Sequence, residues 1–256
     1  MTINLLFDPD KAKRPMRVAG FLSGSGTNIL RLLERERALR AKEGSPPFQV
    51  NFIFSDRSDG SSKGERIACG AGIPYFSFDI RSFHKIRNVR RSVDTPEGLT
   101  ARREYDRVAK RLREAFDIDV IALGGYMSFI TLQRCVNVHP ADLSILTPEG
   151  KRKYVGDRAV LDAISAGEGV LRSSTLWTDQ GVDTGPLLMV SAPLKVELPE
   201  PLENLVHNQE KLTRIAEEHQ EKLKEIGDWK IFPQTIEMIA RGRFLFSHGI
   251  LCFYKH

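Results

Sequence analysis

The stretch MRVAGFLSGSGTNILRLLER, residues 16–35, changes character twice. Met16–Leu22 is an apolar run of strand length. Ser23–Asn28 is polar and holds two glycines. Ile29, Leu30, Leu32 and Leu33 then share one helical stripe. A strand, a glycine-rich turn and a helix in succession open an α/β unit.

Glycines at such a turn let the backbone come close to a ligand, and the helix start offers unpaired N–H groups with partial positive charge. Gly24, Ser25, Gly26, Thr27 and Asn28 are therefore candidates to cradle a phosphate. The turn lacks the Gly-Lys-Ser/Thr of the P-loop and the third glycine of the dinucleotide fingerprint. A tight turn capped by Thr27 or Asn28 is the competing reading.

Working outward, Phe48–Phe54 and Ile73–Phe78 read as further strands with a helix over Lys63–Cys69 between them. Asp79–Gly98 is polar and basic and reads as a solvated loop. Leu99–Phe116 carries apolar residues at helical spacing. Val120–Leu123 is a short apolar strand that breaks at Gly124-Gly125. A second apolar run ends in Asn137-Val138-His139-Pro140. The alternation predicts a parallel, doubly wound sheet, in which ligands sit beyond the carboxyl ends of the strands.

Asn137 and His139 are two apart, so in an extended chain they share a side, and Pro140 stops the strand. They are either a solvated strand end or half of a site. Val170–Thr178 and Leu187–Val196 flank a glycine-bearing loop that holds Asp183, and predict an antiparallel pair. Asp183 is either an Asx-turn residue or a functional carboxylate. Leu202–Ile226 reads as one long amphipathic helix, Trp229–Ala240 as a helix broken early by Pro233, and Phe244–Tyr254 as a terminal hairpin.

The 256 residues are 41% hydrophobic and 28% charged, which suits a globular chain with a sizeable core. No apolar run spans a bilayer, and residues 1–15 lack a secretory h-region, so a cytoplasmic home and no membrane partner are expected. Cys69, Cys135 and Cys252 form no Cys-x-x-Cys pair, so neither a metal site nor a disulfide framework is expected. The net charge of +5 favours anionic partners. The basic residues are dispersed and no nucleic-acid-binding spacing is present, so small anions are favoured over nucleic acid.

Four stretches, in order, resemble the folate-dependent formyltransferases, among them the phosphoribosylglycinamide formyltransferases of purine synthesis. They are Val18–Asn28, Leu123–Thr131, Asn137-Val138-His139-Pro140 and Gly181–Pro186. Weaker similarity runs through Ala101–Asp106 and Trp229–Phe246. The resemblance covers residues 16–198 with a C-terminal piece.

It implies a Rossmann-like, mostly parallel sheet with helices on both faces, followed by C-terminal helices and a hairpin. It implies 10-formyltetrahydrofolate as co-substrate, no metal, and a phosphorylated amine as acceptor. His139 would be general acid/base, Asn137 the oxyanion donor and Asp183 the partner of His139. Arg102, Gly125, Met127, Ser128, Phe129 and Ile130 would line the folate pocket, and residues 24–28 would hold the acceptor phosphate. Residues 1–15 would be an extension, 16–198 the catalytic domain and 199–256 a segment packed on it, in a monomer or homodimer.

The departures are specific. The family's Met-Arg-Ile-Leu is Met127-Ser128-Phe129-Ile130, with the arginine lost, and the chain is shorter before Asn137. Ala141–Ser144 replaces Ser-Leu-Leu-Pro and leads into an unusual stretch, Leu146–Tyr154. Leu176 stands where the purine enzymes carry a substrate-contacting histidine. The chemistry residues are kept while the pockets differ, so the acceptor could instead be an amino sugar nucleotide or another amine, or the chain a non-catalytic folate- or nucleotide-binding relative.

Overall fold

The structure, a computed structural model, describes residues 4–247 and 250–253. It divides into two compact units, one of residues 1–136 with 236–256, the other of residues 137–235.

The first unit begins with β1 (Asn4–Leu5) and α1 (Pro9–Ala12). It continues through β2 (Met16–Leu22), α2 (Thr27–Glu43), β3 (Phe48–Ser55), α3 (Gly64–Ala71), β4 (Tyr75–Ser77), α4 (Ile80–Arg87), α5 (Pro96–Ala115) and β5 (Val120–Leu123). β2 lies parallel to both β3 and β5, and β3 parallel to β4. Almost every residue of β2 and β5 is buried, which is why both read as continuous apolar runs rather than as alternation. Phe21, Phe52 and Phe54 pack with Tyr126 and Phe116, Phe21 meeting Phe54 at 4.9 Å between ring centres. Helix α5 turns Ala101, Arg102, Tyr105, Asp106 and Ala109 inward at three- and four-residue spacing.

Residues 79–98 are not simply a loop. Asp79 caps α4 by accepting from the Ser82 amide at 2.7 Å, and Ile80 and His84 are buried one turn apart. Residues 4–15 also belong to the first unit. β1 pairs antiparallel with a strand of the C-terminal hairpin, Leu6 and Phe7 are buried, and Arg14 bonds Asp119 at 2.6 and 3.2 Å.

The second unit is built from most of β6 (Cys135–His139), then α6 (Ala159–Ser165), β7 (Val170–Leu171), β8 (Ser174–Trp177), β9 (Leu187–Val190), β10 (Leu194–Lys195), α7 (Leu202–Leu205) and α8 (Gln209–Leu223). β8 and β9 form the expected antiparallel pair. β7 leaves that line to pair with β10. The core joins α6 to α8 through Val160, Ile164, Leu212, Ala216 and Leu223.

The helix expected over 202–226 is two. The chain breaks after α7, and the Asn208 side chain restarts it by accepting from the Lys211 amide at 3.0 Å. A π-helical turn, Lys224–Asp228, carries α8 straight into α9 (Trp229–Ala240), which runs through Pro233 rather than breaking there. α9 leads to β11 (Phe244–Ser247) and β12 (Ile250–Phe253), the expected hairpin. Its turn at 248–249 and Tyr254 lie outside the described residues.

The main sheet has the order β4-β3-β2-β5-β6-β8-β9, the mostly parallel Rossmann-like arrangement expected.

Candidate active site

β6 is buried at Cys135, Val136, Val138 and His139, with Asn137 half-exposed. Asn137 and His139 do share a partner, and it is Asp183. Asn137 Nδ2 donates to one carboxylate oxygen of Asp183 at 3.3 Å. His139 Nδ1 lies 3.4 Å from the other, which also accepts from the Gly156 amide at 3.0 Å. The side chains of His139 and Asp183 are 7% and 9% exposed.

The loop that presents Asp183 is held in an uncommon shape. Asp183 itself has φ +53°, in the left-handed region. A Cβ on Gly185 would run into the Trp177 carbonyl, so only glycine fits there. The Asx-turn role is taken by Asp179, which accepts from Gly181 N at 2.9 Å and Thr184 Oγ1 at 2.6 Å. Asp183 is thereby freed to face β6.

Both nitrogens of His139 meet acceptors. Nδ1 faces Asp183, and Nε2 lies 3.2 Å from the Tyr154 carbonyl. Only the doubly protonated ring satisfies both contacts. Burial opposes that charge and holds the His139 pKa below its ordinary value, against the upward pull of Asp183 and of the Tyr154 carbonyl. The carboxylate pulls upward, but desolvation wins. Burial thus favours the neutral ring, and a proton added to it would let both nitrogens donate.

Tyr154, Gly156 and Arg152 escape the sequence reading. They lie in and just after the stretch marked as unusual, which folds into a small hairpin with Leu146 bridged to Arg152. Arg152 donates through Nη1 to the Asp183 carbonyl and through Nη2 to the Gly185 carbonyl, the latter at 2.6 Å. No residue spacing signals this, because the acceptors are backbone carbonyls.

In the first unit, Gly26 starts α2 in the left-handed region, φ +66°, with no side chain capping the helix. The cap reading of Thr27 and Asn28 therefore does not hold, and the first N–H groups of α2 gain no side-chain cap. The Asn28 amide oxygen is buried without a hydrogen-bond partner among the described residues. Gly24 and Ser25 lie along the same turn.

Ser23 ties this turn to the segment after β5. Its amide donates to the Gly125 carbonyl at 3.0 Å, and its hydroxyl accepts from the Met127 amide at 2.9 Å. Gly125 and Met127 are exposed, Ser128 and Phe129 half-buried and Ile130 buried. Ser128 donates its hydroxyl to the fully buried Asp56.

Arg102 is 2% exposed, bonded to Tyr126 Oη at 3.0 Å and paired with Asp106 at 2.9 Å. Its Nε and Nη1 have no partner among the described residues. Leu176 is 1% exposed and belongs to the core of β8. Among the described residues no group of three or more His, Cys, Asp or Glu is placed to hold a metal, and no helix is long and apolar enough to cross a membrane.

A trifunctional purine biosynthetic protein adenosine-3 of Drosophila melanogaster is 25% identical over 244 residues, 92% of this chain and 15% of that protein. This chain thus spans a small part of that relative's length. A phosphoribosylglycinamide formyltransferase of Mycobacterium tuberculosis is 27% identical over 181 residues, 68% of this chain and 69% of that one. The crystal structure of glycinamide ribonucleotide transformylase 1 from Symbiobacterium toebii superposes with a TM-score of 0.64 over 94% of this chain and 95% of that chain, at 23% identity, a likeness of fold. The profile of the formyl transferase family matches residues 16–216, and with its fold alongside, the chain belongs to that family.

Proposed function

We propose that this protein transfers a formyl group from 10-formyltetrahydrofolate to the amine of a phosphorylated acceptor, glycinamide ribonucleotide being the first candidate, as in purine biosynthesis. The observation that carries the reading is the gathering of Asn137 and His139 on the two oxygens of one aspartate. A binder has no need of an amide donor, a buried neutral imidazole and a carboxylate in one cluster.

In the proposed reaction the acceptor nitrogen attacks the formyl carbon and the bond to the folate nitrogen breaks. The formyl oxygen becomes an oxyanion that Asn137 Nδ2 stabilises. The attacking amine loses a proton, and the folate nitrogen gains one as it leaves. His139 is the neutral base for the first transfer and the acid for the second. Neither of its nitrogens is free of a protein acceptor, so the proton reaches it along the Asp183 edge, with a water as carrier. Asp183 holds the resulting imidazolium. The Gly24–Asn28 turn fits the acceptor phosphate. Arg102, Gly125, Met127, Ser128, Phe129 and Ile130 are carried as the folate contacts.

The test is direct. Purified protein with 10-formyltetrahydrofolate and glycinamide ribonucleotide should release tetrahydrofolate, followed by absorbance. His139→Ala should abolish release while folding and ligand binding persist. Full activity in that variant sinks the assignment. A different acceptor, an amino sugar nucleotide, is the second reading. It follows from Leu176, which stands where the purine enzymes carry a histidine, and from Ser128, which stands where the family has an arginine. Turnover with that amine and none with glycinamide ribonucleotide would select it.

A further inference from the structure

The Asp183 loop has a feature that the formyl-transfer chemistry does not require of itself. Its key residue sits in a left-handed conformation between the exposed Val182 and Thr184. Asp tolerates that region better than most residues but is not confined to it, so its φ alone does not fix the direction of the carboxylate. Two carbonyls of the loop, those of Asp183 and Gly185, face one guanidinium. The planar fork of Arg152 donates one Nη to each, a two-point grip that a point charge cannot reproduce.

The hairpin that carries Arg152 is itself braced. Thr147 N donates to the Lys151 carbonyl at 2.7 Å, Gly150 N to Thr147 at 2.9 Å and Lys153 N to Ile145 at 3.0 Å. The same segment sets the Tyr154 carbonyl on His139 Nε2 and the Gly156 amide on Asp183.

We propose that Arg152 is a positioning residue of this site, holding Asp183 by its backbone so that one carboxylate oxygen meets Asn137 and the other meets His139. The proposal rests on the formyl-transfer reading only for its kinetic consequence. The positioning itself is a property of the folded protein without substrate.

The charged and polar groups acting on His139 are Asp183 and the Tyr154 carbonyl, which pull its pKa up, Arg152, which pushes it down, and Asp157, which pulls it up. Charge and position therefore predict opposite outcomes. Losing the positive charge of Arg152 alone raises the His139 pKa. Losing the grip lets Asp183 leave and lowers it.

The experiment is an NMR titration of the His139 imidazole in the full chain, without substrate. It compares wild type, Arg152→Lys, Arg152→Gln, Asp183→Asn and Arg152→Lys/Asp183→Asn, with a melting curve for each. Lys keeps the charge and drops the second prong. The expected result is that R152K titrates below wild type and together with D183N, and that the double variant moves no further. R152K titrating with wild type, or adding a separate full shift in the D183N background, overturns the proposal. A rise in R152Q with no change in R152K assigns the residue to charge alone and also overturns it.

In the kinetic arm, R152K lowers kcat on the order of 100-fold with KM little changed, the usual cost of a displaced catalytic group. R152K/D183N falls no lower than D183N. If the wild-type protein shows no formyl transfer at all, the functional reading fails, while the titration still decides the role of Arg152.

Discussion

Gly26→Ala and Gly24→Ala change neighbouring positions of one turn by one methyl each, and the structure predicts very different costs. Gly26 has φ +66°, and an added Cβ would sit 2.7 Å from Ile67 Cδ1 and 2.9 Å from a Leu22 methyl. The left-handed backbone costs an alanine about 1–2 kcal/mol, and overpacking against the tips of the buried Leu22 and the half-buried Ile67 about 1–3 kcal/mol more. Reduced freedom of the unfolded chain returns about 0.4–1 kcal/mol. The net is a destabilisation of about 3 kcal/mol. Gly24 has nothing within 4 Å of its added Cβ, so the alanine there changes stability by less than about 0.5 kcal/mol. Urea unfolding followed by circular dichroism measures both. With a slope of about 3 kcal/mol per molar, G26A lowers the midpoint by about 1 M and G24A leaves it in place. Equal midpoints for the two variants would refute the packing argument for this turn.

Further outcomes follow from the other contacts. His139 has a lowered pKa in the folded chain, so its contribution to stability is full above the unfolded value near 6.5 and is lost as pH falls into the window below it. Replacing it by Gln should flatten the urea midpoint between about pH 7 and 5, and an unchanged slope removes His139 from that linkage. Arg102→Met strands the buried Asp106 carboxylate and should cost about 3–5 kcal/mol in unfolding free energy, part of which Asp106→Asn restores in the double variant. Asn137→Ala should lower formyl transfer by about 10²–10³-fold with KM little changed, measured by tetrahydrofolate release. A loss confined to KM would move Asn137 from oxyanion donor to ground-state binder.

The parts of the fold that the sequence announces are those with a local cause. The residue 16–35 stretch becomes β2 and α2 because an apolar run, two glycines and a helical stripe each act over a few residues. Asn137 and His139 converge on Asp183 because strand periodicity already put them on one side. What escaped has causes that lie elsewhere in the chain or in the backbone. α4 is only eight residues long, starts at the Asp79 cap and stops at Asn88 in the left-handed region, signals that a polar, basic stretch hides. β1 is two residues long, too short for any periodicity, and is a strand only because β11 pairs with it. The break between α7 and α8 turns on one Asn208 cap. Arg152 has no motif because it reads carbonyl oxygens, which every residue carries. The downward pKa of His139 also needs the fold, since burial and a nearby carboxylate push in opposite directions and only the packed site decides between them.

The pairing of Asn4 with Phe246 and of Leu5 with Leu245 has a consequence for how the protein is made. On the ribosome, β1 emerges long before its partner β11. Until then Leu6 and Phe7 have no strand to fold beside, and the first unit cannot close. Residues 137–235 are one uninterrupted segment and can collapse around their own core while synthesis continues. A contact so distant in sequence carries a large loop-closure cost and forms slowly. Completion of the first unit thus waits until the chain returns at β11, and until then Leu6 and Phe7 are apolar residues that a chaperone would meet.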